Sequence, residues 1–219
     1  MNKTDSQLKQ DIETELAWDP KINAAQIGVT VDKGAVSLLG AVDSYAEKWA
    51  AEDATKRVAG VRSVAQDLTV KLVGSHKHGD PEIAAAALSA LTWDVRIPEA
   101  VTAKVHNGMI TLEGDVEWNF QRVAAEAAVR YLAGVVGVSN AITVKPRVPA
   151  GAVREEVQAA LQRQATKDAH SIHVATSGRT VTLTGKASSW QVIEDAAAAA
   201  WAAPGVTNVI DSVVMSGPS

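Results

Sequence analysis

Apolar residues recur along the chain at two periods, and the two periods alternate three times. Leu8, Ile12 and Leu16 repeat as Ile83, Ala87 and Leu91 and again as Val153, Val157 and Leu161. An i, i+4, i+8 stripe of this kind predicts a helix with one buried face. Thr4 with Gln7 reads as a capping box before the first such helix, and Asp80 followed by Pro81 reads as an N-cap with proline at the first helical position.

Two short runs of period two follow each stripe. The first holds Ile27, Val29 and Val31, then Val101, Ala103 and Val105, then Ile172 and Val174. The second holds Val36 and Leu38, then Ile110 and Leu112, then Val181 and Leu183. Between them Asp32-Lys33-Gly34, His106-Asn107-Gly108 and Thr176-Ser177-Gly178 place a glycine where a tight hairpin needs positive φ, and the third turn reads one residue longer. Residues 43–58, 117–133 and 188–203 are rich in Ala and Glu and predict a second helix, stopped by the glycine that follows. Each unit closes on a Val-rich strand: Val64, Leu68 and Val70, then Val138, Ile142 and Val144, then Val209, Val213 and Met215.

Glycines punctuate the repeat. Gly40 and Gly60, Gly114 and Gly134, and Gly185 and Gly205 are each 20 residues apart, while the units recur after 74 and then 71 residues. The repeating unit is therefore a whole small fold and not a solenoid turn. Its order predicts an α+β chain of three tandem αββαβ modules, each a three-stranded sheet with two helices on one face, over residues 1–73, 80–146 and 149–219. Polar Thr30, Ser37, Lys104, Thr111, Glu113, Thr182 and Thr184, with Leu39 as the exception, leave the other sheet face wet. Gly40, Gly114 and Gly185 are expected where the chain turns from sheet to helix, with little room for a Cβ.

In that element order, the strand end Ile110-Thr111-Leu112-Glu113-Gly114 and the Gly-Val-x-x-Val-x-x-x-Leu/Ile-x-Val tails from Gly60 to Val70 and Gly134 to Val144 resemble the BON domain, over nearly all of the chain. The third copy departs: Val213 takes the Leu/Ile place, and the second-helix stripe moves to Ile193, Ala197 and Trp201. The resemblance implies a non-enzymatic binding module linked to bacterial osmotic stress and the cell envelope, with phospholipid as its ligand.

Modules of about 70 residues build only marginal cores, so docking between them is expected to help. The absence of cysteine excludes disulfides, zinc-thiolate sites and thiol nucleophiles. Met1 to Asp5 run straight into a charged helix, and no apolar run reaches the roughly 18 residues of a membrane span. A cytoplasmic protein without a transmembrane segment is expected, although relatives are often exported. The net charge of −4 divides as −2, −2 and 0 over residues 1–73, 74–146 and 147–219, with 9 basic against 11 acidic, 6 against 8 and 6 against 6. No module carries the positive field that nucleic-acid binding requires. The linker from Gly74 to Gly79 is polar and flexible, whereas Pro146 and Pro149 stiffen the second and fix modules two and three more firmly.

Several fragments imitate active sites without their context. Gly134-Val135-Val136-Gly137 has the form of a KH-domain GXXG loop but leads into a strand, with only Arg130 nearby. Gly185-Lys186-Ala187-Ser188 matches the end of a P-loop, yet Thr180 stands where the earlier glycine belongs. His76 and His78 on the linker are two ligands where a specific metal site needs three or four, and His106, His170 and His173 read as solvated hairpin residues. Carboxylates such as Glu13, Glu15, Glu52, Asp53, Glu155 and Glu156 fall on helix surfaces. No nucleophile pairs with a base, so neither an enzyme nor a cofactor is expected.

Two helices break the amphipathic rule. Residues 81–93 carry Ile83, Leu88, Leu91 and Trp93 among alanines with Glu82 as the only charge, and residues 196–203 hold little but alanine and Trp201. Helices apolar all round dock against neighbours or a second copy, or else present a surface to a ligand. Trp18 and Trp93 end equivalent helices, which predicts a packing role, while Trp49, Trp118, Trp190 and Trp201 scatter over the second helices and are freer to make contacts. The leading expectation is a stress-associated protein that binds phospholipid or envelope surfaces, with Lys48, Lys56, Arg57 and Arg62 as the headgroup patch. The alternative is a protein-binding scaffold or holdase-like chaperone that uses Ile83, Leu88, Leu91, Trp93 and Trp201 as its apolar contact surface.

Overall fold

In the first module the opening helix α1 (Asp5–Trp18) starts on the capping box read from the sequence. The Gln7 amide donates to Thr4 Oγ1 at 3.2 Å, and the Thr4 amide donates to Gln7 Oε1 at 2.9 Å. Strands β1 (Ile27–Asp32) and β2 (Ala35–Val42) form the hairpin, α2 (Tyr45–Arg57) crosses back, and β3 (Ser63–Val70) runs parallel to β2. The computed structural model describes residues 3–74, 77–146 and 172–215. His76, His170, the linker residues 147–149 and the Val153, Val157, Leu161 stripe lie outside them.

The second module repeats the order with α3 (Asp80–Trp93), β4 (Thr102–His106), β5 (Met109–Glu113), α4 (Asn119–Arg130) and β7 (Gly137–Asn140). Its sheet continues past Gly114 as a short parallel pair, β6 (Asp115–Val116) and β8 (Thr143–Val144). The described part of the third module comprises β9 (Ile172–Ser177), β10 (Thr180–Ala187), α5 (Trp190–Ala202) and β11 (Asn208–Met215). In all three sheets the central strand is antiparallel to the first and parallel to the last. The α+β class and the tandem modules follow the sequence pattern.

The stripes become cores. Leu8, Ile12 and Leu16 of α1 meet Val29, Val36, Leu38 and Leu68 of the sheet and Ala50, Ala51 and Ala54 of α2, so both helices cover one sheet face. Small residues on α2 let the helix sit close to the strands. Ile83, Ala87 and Leu91 form the same contact with Ile110, Leu112, Ala125 and Val129. On the opposite face Thr30, Lys104 and Thr184 are exposed, Ser37, Thr111, Glu113 and Thr182 are half-buried on central strands, and Leu39 is exposed.

Three local expectations are corrected. Asp80 is the first helical residue and not the N-cap, which is Gly79, so Pro81 stands second. Its carboxylate instead accepts from the Asn107 and Gly108 amides of the hairpin turn at 2.8 and 2.9 Å. Asp5 does the same to Lys33 and Gly34 in the first module. The third turn is no longer than the others, because Ser177 pairs with Thr180 and leaves only Gly178 and Arg179 between them. There the positive φ sits on Gly178, whereas Lys33-Gly34 and Asn107-Gly108 carry it at both positions. Finally, Gly185 lies inside β10, paired with Ile172, and Gly40 inside β2, paired with Ile27, neither of them at the turn to the helix. The Gly40 φ of +126° and the Gln26 carbonyl oxygen, 2.1 Å from where a Cβ would stand, exclude any side chain there.

Candidate functional site

Aligning the modules on Gly40, Gly114 and Gly185 makes Tyr45, Asn119 and Trp190 equivalent at the start of the second helix, and Lys56, Arg130 and Trp201 equivalent near its end. These two positions carry the contacts between modules. Tyr45 leaves its own module and packs on the core of the second, beside Arg130. The Arg130 guanidinium lies 3.9 Å over the Trp49 ring and is held by Glu126 at 3.0 Å. Trp201 packs against the cores of both the second and third modules, with Arg122 4.8 Å above its ring. Trp190 packs on the first module, donates its indole N–H to the Val61 carbonyl oxygen at 3.1 Å and lies beneath Lys56 at 6.0 Å.

The three junctions share a direction. The helix start of module one meets the helix end of module two, and the helix start of module three meets the helix end of module one. Head-to-tail contacts between equivalent surfaces close into a ring when the rotation allows it, and Trp201 with Arg122 supplies the third junction. Each ring-over-cation contact contributes about 0.5–2 kcal/mol according to its desolvation. Burial holds the Arg122 guanidinium below its usual pKa and raises that of the Tyr45 phenol, whose second cause is the Glu126 charge.

The predicted headgroup patch does not stand free. Lys48 donates to the Leu68 carbonyl at 2.7 Å, Lys56 pairs with Glu52 at 2.6 Å, and Arg57 is shared among Asp53, Glu15 and Asp19. Of the four, Lys48 and Arg62 make no ion pair among the described residues, and Lys48 is tied to the backbone. The reason is visible only in three dimensions: i, i+4 carboxylates on α2, together with α1, neutralise Lys56 and Arg57, and a backbone carbonyl of β3 holds Lys48.

The apolar surface also divides. Ile83 and Leu91 are core residues, 1% and 5% exposed, and so belong to no contact surface. Trp201 is half-buried between modules, and Ala199 near it is fully buried. Leu88 is 66% exposed and no neighbouring module covers it. Trp18 and Trp93 are not packing residues at all, each being 84% exposed.

Those two tryptophans belong to a repeated element that sequence reading missed, although the words Trp18-Asp19-Pro20-Lys21-Ile22 and Trp93-Asp94-Val95-Arg96-Ile97 were there to be compared. In both, the aspartate turns the chain back by accepting the amide two residues on, Lys21 and Arg96, each at 3.0 Å. In both, the isoleucine is drawn inward toward the module core while the indole points to solvent. The Arg96 guanidinium also grips Asp94 at 2.9 and 2.6 Å, which depresses the Asp94 carboxyl pKa to about 2. Val95 at the tip is fully exposed. The aligned stretch of the third module, from Arg163, contains neither the tryptophan nor the aspartate.

Comparison with known proteins agrees with the repeat. The BON domain family model matches residues 4–71, 79–146 and 150–217. The chain is 30% identical over 146 residues to Osmotically-inducible protein Y of Escherichia coli (strain K12), covering 64% of this chain and 73% of that protein. Among solved structures, CdsD, a structural protein of the Type III secretion system of Chlamydia trachomatis, aligns over 95% of this chain and 92% of its own at 15% identity with a TM-score of 0.27. With three matches that together span almost its full length, the chain belongs to the BON domain family.

Proposed function

We propose that this is a non-enzymatic, stress-associated binding protein that docks on phospholipid surfaces through the rim bearing Trp18 and Trp93. The observation that carries this reading is the repeated turn that holds two bulky indoles in water at equivalent places in two modules. An exposed indole on a well-ordered turn is costly in solution and favourable at a membrane interface, where its ring meets the acyl boundary and its N–H stays hydrated. Both indoles end the equivalent helices of their modules and stand 84% exposed, so each of the two modules brings one to the surface. The likeness to an osmotically inducible protein supports the stress association.

Near the rim Asp94 neutralises Arg96 and Asp19 faces Arg57, and Lys21 is the one cation of the two turns without an ion pair among the described residues, too little charge for a headgroup patch. Attraction therefore rests on apolar insertion and not on a cationic patch, and it should depend little on salt. Flotation with phosphatidylcholine vesicles, with and without phosphatidylglycerol, tests this. Retention on both that survives high salt and is lost in a Trp18→Ser/Trp93→Ser variant is the expected result. Retention that needs phosphatidylglycerol and vanishes in salt would refute it. Suppressed aggregation of a denatured client by wild type and variant alike, without vesicle retention, would favour the scaffold or holdase reading, for which exposed Leu88 is the supporting observation.

A further inference from the structure

An open cleft of about 450 Å³ lies where the hairpin end of the first module faces the third. Its apolar wall is made by Trp190 and Val213 with buried Ile193 behind them, and its rim by Lys33 and Arg62, with Asp32 beside them. Small-molecule sites are roughly 300–1,000 Å³, and this cleft falls in that range, with polar and apolar atoms sharing its lining about equally.

Both rim cations are held by their backbones and not by ion pairs. The Lys33 amide is tied to the Asp5 carboxylate at 2.8 Å, which fixes the left-handed turn that carries the side chain. The Arg62 amide donates to the Gly34 carbonyl at 2.8 Å, and the aliphatic stem of Arg62 lies against Gly34, in the space that a Cβ there would need. Neither Lys33 nor Arg62 makes a side-chain ion pair among the described residues, so their charge is available. Trp190 has spent its N–H on Val61 and offers only its ring.

The equivalent places in the other modules are not cationic. Lys33 aligns with Asn107 and Gly178, and Arg62 with Val136 and Thr207. Arg179 follows Gly178 in the third turn but spends its guanidinium on the Pro146 carbonyl, so the pair of cations on one rim is found only where the first module meets the third, among the described residues.

We propose that the cleft between the first and third modules binds a soluble amphiphile with a single acidic headgroup, the carboxylate or phosphate on Lys33 and Arg62 and the alkyl chain along Trp190 and Val213. This site is separate from the tryptophan rim. Acidic groups bind guanidinium through charge-assisted, two-point hydrogen bonds, and an adjacent apolar wall makes a headgroup alone a poor ligand.

Calorimetric titration of the full chain with decanoate, at monomeric concentrations, tests the site. The control ligand is decanol, and the control protein is Lys33→Asn/Arg62→Val, which installs the residues that the second module already uses. One saturable site is expected, with decanol and the double variant each weakening binding by about tenfold or more. The variant's thermal melt and vesicle retention should match wild type. Equal binding of decanol, unchanged binding by the variant, or no saturable decanoate site would overturn the proposal. So would loss of vesicle retention in the variant with decanoate silent, since the rim would then be serving membrane headgroups.

Discussion

The Trp190 indole N–H donates to the Val61 carbonyl oxygen across 129 residues of chain, joining the third module to the first. Covalent order joins one to two and two to three, and this bond lies at the junction that closes the circuit. Trp190→Phe keeps part of the aromatic packing and removes the donor. It should cost about 1 kcal/mol of docking, since the Val61 carbonyl loses a partner. Limited proteolysis should then release the third module before the other two, while cleavage at wild-type rates would show that the closing junction is not held there.

The first module depends on a glycine that no side chain can replace. Gly40→Ala forces a Cβ to within 2.1 Å of the Gln26 carbonyl at a φ of +126°. A loss of more than about 3 kcal/mol is expected, from backbone strain and the parting of β1 from β2. Gly28→Ala, whose Cβ would meet nothing nearer than 3.7 Å, should change stability by about 1 kcal/mol or less. Urea unfolding of both variants provides the comparison, and equal losses would contradict this account of the hairpin.

Acid should weaken the second module in particular. The Gly108 and Asn107 amides lower the Asp80 pKa, and Arg96 with its own amide lowers Asp94 from the usual 3.8 to about 2. A carboxyl depressed in the folded state contributes stability that is complete above its unfolded pKa and is lost as pH falls through the folded one. Stability is therefore expected to decline as pH drops from 3.8 toward 2, with a shallower decline in Asp80→Asn and in Asp94→Asn. Thermal melts across that window check the slope, and variants as acid-sensitive as wild type would exclude these two groups.

Alkali should act on a different junction. Burial raises the Tyr45 pKa above 10.0, so the neutral phenol is the form that docks on module two. That contribution is complete below pH 10.0 and is lost as pH rises through the raised value. Tyr45→Phe should remove the alkaline loosening of the first junction, measured by hydrogen exchange over β7. The same exchange in both proteins would place the titrating group elsewhere.

The fold was legible because it rests on local periodicities written three times. Leu8, Ile12 and Leu16 predict their burial from spacing alone, and the Gly40 series marks the strands. What the sequence did not disclose depends on neighbours distant along the chain. The carboxylates that neutralise Lys56 and Arg57 include Glu15, 42 residues away from Arg57. The cross-module ring faces were foreshadowed only by Trp49, Trp190 and Trp201 falling on second helices. Trp18 and Trp93 misled because matching positions suggest a core, whereas a repeat preserves an exposed feature as readily as a buried one. The Asp19 and Asp94 turns that raise them were within reach of a word-by-word comparison.

Contact between the rim and the acyl boundary is the central claim, and quenching by brominated phosphatidylcholine measures it directly. Bromine quenches indoles only at short range, so the fluorescence lost on vesicle addition reports insertion. Wild type is expected to lose the share of emission that Trp18 and Trp93 supply, and the Trp18→Ser/Trp93→Ser variant should lose none, because it does not stay on the vesicles and its four remaining tryptophans, Trp49, Trp118, Trp190 and Trp201, are at least half-buried. Equal quenching in the two proteins, or none in wild type bound to the vesicles, would contradict it.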